Sequence, residues 1–140
     1  MIKLSFDFDD TLARSDVQAF ALLLQEKHPT VEQWIVTSRM SDDVKSKGLY
    51  GMQITGSNND LFDVAKNIGI PEQRIVFTQL EWKNVFFKDK DFMIHIDDYP
   101  QELELIRATT KMFAINVLAK DWKEQTLRII KTLEKSKYGQ

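Results

Sequence analysis

The sequence predicts an α/β fold of three layers, a doubly wound and mainly parallel five-stranded sheet with helices on both faces. Three observations carry that expectation. Short apolar runs alternate with helix-period patterns along the chain, as repeated βα units do. The breaks between them read as helix ends, with Asn59 or Asp60 before one periodic stretch, Gly69 and Pro71 after it, and Pro100 at the head of another. No repeat or low-complexity stretch competes with this pattern.

Taken in order, a first strand is expected over residues 2–8, running straight into the acidic cluster Asp7-Phe8-Asp9-Asp10-Thr11. A helix over residues 16–27 follows, because Val17, Phe20, Ala21 and Leu24 recur three or four apart. Trp34, Ile35 and Val36 make a second buried strand that ends at Thr37-Ser38-Arg39. Over residues 40–58 the periodicity fails and Gly48, Gly51 and Gly56 punctuate the chain; a short helix after Ser41, then irregular chain or a small hairpin, is expected. Regularity returns with a helix over 59–68, a third strand over 74–78, a helix over 80–88 and a fourth strand over 92–96 that ends at Asp97-Asp98. A helix from Pro100 to about residue 108 and a strand over 112–117 precede a final helix, capped by Asp121 and packed through Trp122, Leu127, Ile130 and Leu133.

The 140 residues fit one domain, 1–140, with residues 40–58 as a small lid or insertion. An apolar fraction of 43% and a charged fraction of 29% are those of an ordinary soluble protein. The net charge of −2 gives no global signal for nucleic acid or an anionic membrane. The absence of cysteine excludes disulfides, thiolate metal sites and cysteine nucleophiles. No basic and apolar leader opens the chain and no apolar run approaches the ~20 residues of a membrane span, so a cytoplasmic protein with no membrane partner is expected.

In an open α/β sheet, ligands bind at the carboxyl ends of the strands. Strand one delivers Asp7, Asp9 and Asp10 there, strand two Thr37 and Ser38, and strand four Asp97 and Asp98, while Lys83 lies shortly after strand three. Carboxylates pressed together repel, and a hard cation relieves them; Mg²⁺ favours one or two carboxylates, several waters and a phosphate oxygen. A hydroxyl and a lysine beside them are phosphate ligands, with the Thr37 hydroxyl and backbone amides binding oxygens and Lys83 neutralising charge. Phosphate, Mg²⁺ and a carboxylate together suggest nucleophilic attack that gives an acyl phosphate, later cleaved by water.

Asp7-Phe8-Asp9-Asp10-Thr11-Leu12 resembles the first motif, D-x-D-x-T, of the haloacid dehalogenase-like hydrolases. Thr37 after its apolar strand resembles the second motif, Lys83 the third-motif lysine and Asp97-Asp98 the acidic fourth motif, in the family's order over residues 5–98. The resemblance implies a Rossmann-like domain and a Mg²⁺-dependent phosphomonoesterase. It makes Asp7 the nucleophile and Asp9 the general acid and base, with Thr37 holding the phosphoryl group and Thr11 orienting the loop. It gives Mg²⁺ the Asp7 side chain, the Asp9 backbone carbonyl and Asp97, with Asp98 helping directly or through water and by pairing with Lys83. Ser38 is the alternative to Thr37 as phosphate ligand.

Family members take specificity from a cap inserted after motif one or between motifs two and three. Here about 20 residues separate Leu12 from the second strand, enough for one core helix, and 40–58 cannot make a cap domain. The resemblance is therefore to the capless branch, whose open site suits bulky phosphorylated substrates, macromolecules or nucleotide and polynucleotide ends, or shielding by a partner subunit, and modest selectivity among small molecules is expected. His95 is read as structural or surface, Arg14 and Arg39 as solvated, and Trp34, Trp82 and Trp122 as core or interface rather than a stacking platform. The basic residues of the last helix read as a solvated face. Two other functions compete: a receiver-type phosphoacceptor, which would need its Asp at the end of strand three where Thr78 stands, and a phosphate-ligand binder without turnover.

Overall fold

The computed structural model describes residues 1–48 and 56–137. Runs of branched and aromatic residues form the strands β1 (Ile2–Phe6), β2 (Val31–Thr37), β3 (Ile75–Phe77), β4 (Phe92–Asp97) and β5 (Phe113–Asn116). They make one sheet in the order β3-β2-β1-β4-β5, and every neighbouring pair is parallel. The chain winds outward from β1 in one direction and from β4 in the other. The switch point therefore lies between the carboxyl ends of β1 and β4, where such sheets bind ligands.

Helices α1 (Ser15–Lys27), α2 (Asp42–Lys47), α3 (Asn59–Ile68), α4 (Lys83–Phe87), α5 (Pro100–Thr109) and α6 (Trp122–Lys137) fill the connections. Ile2, Leu4, Phe6, Ile35, Ile94 and Ile96 of the sheet pack with Val17 and Leu24 of α1, Leu61 and Ile68 of α3 and Ile130 of α6. A second cluster joins Val36, Phe92 and Ala114 to Phe87 of α4 and to Leu103 and Ile106 of α5. Each fully buried Leu, Ile or Phe contributes roughly 1.5–3 kcal/mol. A register shift in β4, where Lys3 pairs with Phe92 but Leu4 with Ile94, lets Phe92 join the second cluster while Ile94 and Ile96 join the first. The same alternation puts Ser5, His95 and Asp97 on the α4–α5 side.

Helix α3 ends at Gly69 in the left-handed conformation, φ 83°, with Ile70 N donating to Ala65 O at 2.8 Å. A side chain at Gly69 would meet Gln25 Nε2 2.5 Å from its Cβ. The expected short helix after Ser41 is present as α2, with Ser41 Oγ accepting from Val44 N. The expected hairpin falls on residues 49–55, outside the described residues, and so does the middle of the lid expected over 40–58. The base of that excursion is clasped: buried Asn58 donates through Nδ2 to Met40 O at 3.0 Å and to Asp42 Oδ1 at 2.8 Å.

Three boundaries differ from the sequence expectation by more than one residue, each for a local reason. Strand β1 stops at Phe6 because Asp7 to Leu12 turn sharply, with Asp10 left-handed at φ 59°. Strand β2 begins three residues early because Gln33, polar in sequence, is buried and donates to Ala21 O at 2.9 Å. Helix α4 begins at Lys83, since Gln79 and Leu80 hold left-handed φ values of 57° and 68°. Among the described residues no helix is long and apolar enough to cross a membrane.

Candidate active site

The first turn after β1 presents its polar groups in opposite directions. Asp7 N donates to Ile96 O at 2.9 Å, which fastens the end of β1 to β4 and sets Asp7 beside Asp97. The Asp7 side chain is 8% exposed, whereas that of Asp9, two residues on, is 54% exposed. Lys83, the first residue of α4, is buried between the strands. Its Nζ donates to Asp7 Oδ1 at 2.8 Å and to Asp97 Oδ2 at 2.7 Å, with Glu102 Oε2 at 3.8 Å. The expected pairing of Lys83 with Asp98 is not what forms. Asp98 points instead to the first turn, where Thr11 Oγ1 lies 3.2 Å from both Asp98 Oδ1 and Asp7 Oδ2.

Electrostatics separates these carboxylates. Burial pushes Asp7 up to about 8, with Lys83 opposing and Asp97 reinforcing. Burial alone would raise Asp97 too, but the His95 hydrogen bond and Lys83 hold it well below the usual carboxylate range. Lys83 is disfavoured as a cation by burial, yet Asp7 and Asp97 outweigh that and raise it above an ordinary lysine.

His95 is fully buried, so the surface alternative is excluded and the structural one remains. Its Nε2 lies 2.8 Å from Asp97 Oδ2 and its Nδ1 2.7 Å from Ser5 Oγ. Burial lowers its pKa, with Asp97 opposing. A neutral ring beside an ionised Asp97 must carry its proton on Nε2 and accept from the Ser5 hydroxyl at Nδ1. Asp97 Oδ1 meanwhile accepts from Asp98 N at 2.8 Å and Tyr99 N at 3.1 Å. Asp97 thus receives four hydrogen bonds, its full capacity.

Asp7 and Asp98 are the under-supplied pair. Thr11 has one hydrogen to share between them, and one oxygen from each of Asp7, Asp97 and Asp98 lies within 4.8 Å of the other two. Carboxylate oxygens short of donors are what a cation completes, so this group, two members buried and Asp98 half-buried, could hold a hard oxygen-seeking metal ion. The Asp9 side chain is outside that group. Both its oxygens are taken by Arg39, at 3.0 Å from Nε and 2.7 Å from Nη2, and Arg39 also grips Asp60 at 2.8 Å through Nη1 and again through Nη2. The guanidinium lies 4.9 Å from the Phe8 ring centre. Arg39, read from sequence as solvated, is instead a clamp between two carboxylates. Asp60 is lowered to about 2, chiefly by its Arg39 hydrogen bonds.

Thr37 is buried at the end of β2 and its Oγ1 accepts from Arg39 N at 3.2 Å; Ser38 is the one that lines the cavity. That cavity, about 330 Å³, is bounded by Asp7, Asp9, Asp10, Ser38, Lys83, Asp97 and Asp98 together with Leu80, Glu81, Trp82, Tyr99 and Glu102. Sequence reasoning missed two contributors. Glu102, 4% exposed on the first turn of α5, accepts from Lys83 N at 3.0 Å. Glutamate at a helix's third position usually returns to its own first turn; this one caps α4 instead, and a three-dimensional neighbour leaves no one-dimensional signal. The second is the loop before α4. Leu80 is 67% exposed although two successive left-handed non-glycine residues cost on the order of 1–3 kcal/mol each. Arg14 pairs with its neighbour Asp16 at 2.6 Å, away from this cavity.

No family model matches the sequence, and no curated protein matches it.

Proposed function

We propose that this chain is a Mg²⁺-dependent phosphomonoesterase of the haloacid dehalogenase-like kind, working through an aspartyl phosphate on Asp7. One observation carries the reading. The lysine that the sequence places 76 positions from the acidic turn bridges Asp7 and Asp97 at the sheet's switch point, with Asp98 and Thr11 completing the ring.

The residues divide the work as follows. An Asp7 oxygen attacks phosphorus and the bond to the leaving oxygen breaks, while Asp9 delivers a proton to that oxygen. Asp9 then takes a proton from the water that attacks the phosphorus of the acyl phosphate, releasing phosphate and restoring Asp7. Lys83 holds Asp7 in place and offsets charge on the phosphoryl group, and Ser38 with the β2 terminus, ordered by Thr37, meets its oxygens. Asp7, Asp97 and Asp98 would hold Mg²⁺, with the Asp9 carbonyl as the further ligand the resemblance implies, and the ion would supply the positive charge that keeps Asp7 ionised against burial. Asp97 also anchors Lys83 in this reading. Asp9 must first leave Arg39, and an incoming phosphate offers the guanidinium a replacement anion.

Phosphate release from an aryl phosphate, measured with and without Mg²⁺, tests the proposal. Turnover should depend on the cation, and Asp7→Asn should lower it on the order of 10⁴–10⁶-fold, as removal of a nucleophile does. Wild-type protein that binds Mg²⁺ and turns over no phosphoester would leave a phosphate-binding module without catalysis.

A further inference from the structure

Trp82 and Tyr99 stand directly beside the site, each one residue from a group that defines it: Trp82 precedes Lys83, and Tyr99 follows Asp98. Trp82 is 46% exposed and Tyr99 48%. Their rings lie nearly parallel, at 8°, with centroids 6.2 Å apart. Every other ring pair found among the described residues is edge-on or tilted, at 57° to 74°. Those pairs lie against the sheet; this one borders the cavity that holds Asp7 and Lys83. Exposed Leu80, presented by the strained loop, extends the same apolar wall. Of the two alternatives read for Trp82, core or interface, its exposure excludes the core.

Two half-exposed parallel rings offer flat apolar faces beside a phosphate and cation site, with the peptide backbone fixing their distance from it. A planar ring carried on a phosphorylated group is the occupant that satisfies both halves at once. The surrounding charge narrows this further. Asp10 and Glu81 are exposed on the same rim, beside Asp9 and Asp98, so only a terminal phosphate is expected at the site, with any further phosphates of the substrate directed away from this rim.

We propose that Trp82 and Tyr99 form a base-stacking platform that makes the site selective for a nucleotide, its phosphate at Asp7 and Lys83 and its base on the aromatic pair. The base is borne either on a free nucleoside monophosphate or on the phosphorylated terminal residue of an oligonucleotide; the shared chemistry is a terminal phosphonucleoside. This rests on the phosphatase reading for the position of the phosphate. Base–aromatic stacking is tolerant of base identity, so purines and pyrimidines should both be accepted.

The full-length chain with Mg²⁺ is assayed on adenosine and cytidine 5′-monophosphates, a 5′-phosphorylated oligonucleotide, ribose 5-phosphate and a phosphotyrosine peptide. Nucleotides should exceed ribose 5-phosphate in kcat/KM by about tenfold to a hundredfold, chiefly through KM. Trp82→Ala and Tyr99→Ala, on separate elements, should each bring that ratio close to one, while Trp82→Phe keeps most of it. Because both substrates place their phosphate identically, the ratio is insensitive to a general loss of active protein. Free nucleotide against oligonucleotide identifies the source. Equal kcat/KM for nucleotide and ribose 5-phosphate overturns the platform and leaves the phosphatase reading standing, and a phosphotyrosine peptide preferred over every nucleotide does the same. Tryptophan fluorescence of Asp7→Asn titrated with adenosine monophosphate supplies the readout that needs no turnover. Quenching that Trp82→Phe removes supports the platform even if no phosphoester is hydrolysed; absence of quenching overturns it.

Discussion

Two cations organise this rim in opposite ways. Lys83 reaches Asp7 and Asp97 at 2.7–2.8 Å with all three side chains at most 8% exposed. Arg39 reaches Asp9 and Asp60 at the same 2.7–2.8 Å, but those carboxylates are 54% and 59% exposed. Equal distances do not make equal bonds. Water screens the Arg39 cluster, and such pairs contribute ~0–1 kcal/mol, whereas a buried pair that loses one partner strands the other in a medium that punishes charge. Asp7 and Asp9, two residues apart on one turn, therefore belong to different regimes: one is locked under its cation, the other is able to exchange partners. In the proposed mechanism Asp7, as nucleophile, needs the first condition and Asp9, as proton carrier, the second.

Breaking the buried cluster gives the largest expected effect. Lys83→Met removes the cation while keeping the stem, and leaves the buried Asp97 carboxylate without its cation beside Asp7. Urea unfolding without metal should show a loss of about 3–5 kcal/mol, accompanied by loss of phosphatase activity. A loss below about 1 kcal/mol would mean that the lysine is not the electrostatic keystone its burial implies. Asp9→Asn probes the open cluster and should do the reverse. Turnover should fall about 10²–10⁴-fold while stability shifts by less than about 1 kcal/mol. Equal losses of turnover and stability in both variants would erase the distinction between the two clusters.

How much of this was legible in the sequence follows the same division. The five strands were readable because their apolar runs are continuous, and Asp7, Lys83, Asp97 and Asp98 because strand ends converge in any open α/β sheet. What escaped was partner choice. That Lys83 takes Asp97 and not Asp98 depends on strand alternation, which sends Asp97 and His95 to the α4 side and Asp98 toward Thr11. That Arg39 is a clamp depends on Asp60, 21 residues later and beyond a stretch whose sequence carries no periodicity. Glu102 and the loop before α4 escaped because an N-terminal glutamate and a short connection have ordinary explanations within their own segments.

The proton on Asp7 gives a smaller effect, with a definite sign. Its folded pKa of about 8 lies above the ordinary carboxyl value, so its contribution to stability is fully present below about pH 4 and is lost as pH rises through 8. Asp97 acts oppositely: its pKa is depressed, so its contribution is present above the ordinary carboxyl value and is lost in acid. A cation at Asp7 must displace the proton. Mg²⁺ affinity measured by calorimetry should therefore rise about tenfold per pH unit toward 8 and level off above it, with one proton released per ion at neutral pH. Affinity that is flat between pH 6 and 8 would place the ion elsewhere.

The surface cluster sets the smallest effect and the most discriminating one. Asp60 is lowered to about 2, so the stability it lends is present above the ordinary carboxyl value and disappears as pH falls toward 2. Asp60→Asn should cost less than about 1 kcal/mol at neutral pH, less still at high salt, and the difference from wild type should vanish near pH 2. The same substitution leaves Asp9 as the one charged partner of Arg39 among the described residues, beside the neutral Asn58 Oδ1 at 3.3 Å. The clamp should then tighten on Asp9, and turnover should fall by a factor of a few while stability barely moves. A cost above about 2 kcal/mol that salt does not weaken would show that Arg39 is as fixed as Lys83. Asp9 could not then change partners, and the general acid would have to be sought elsewhere on the rim.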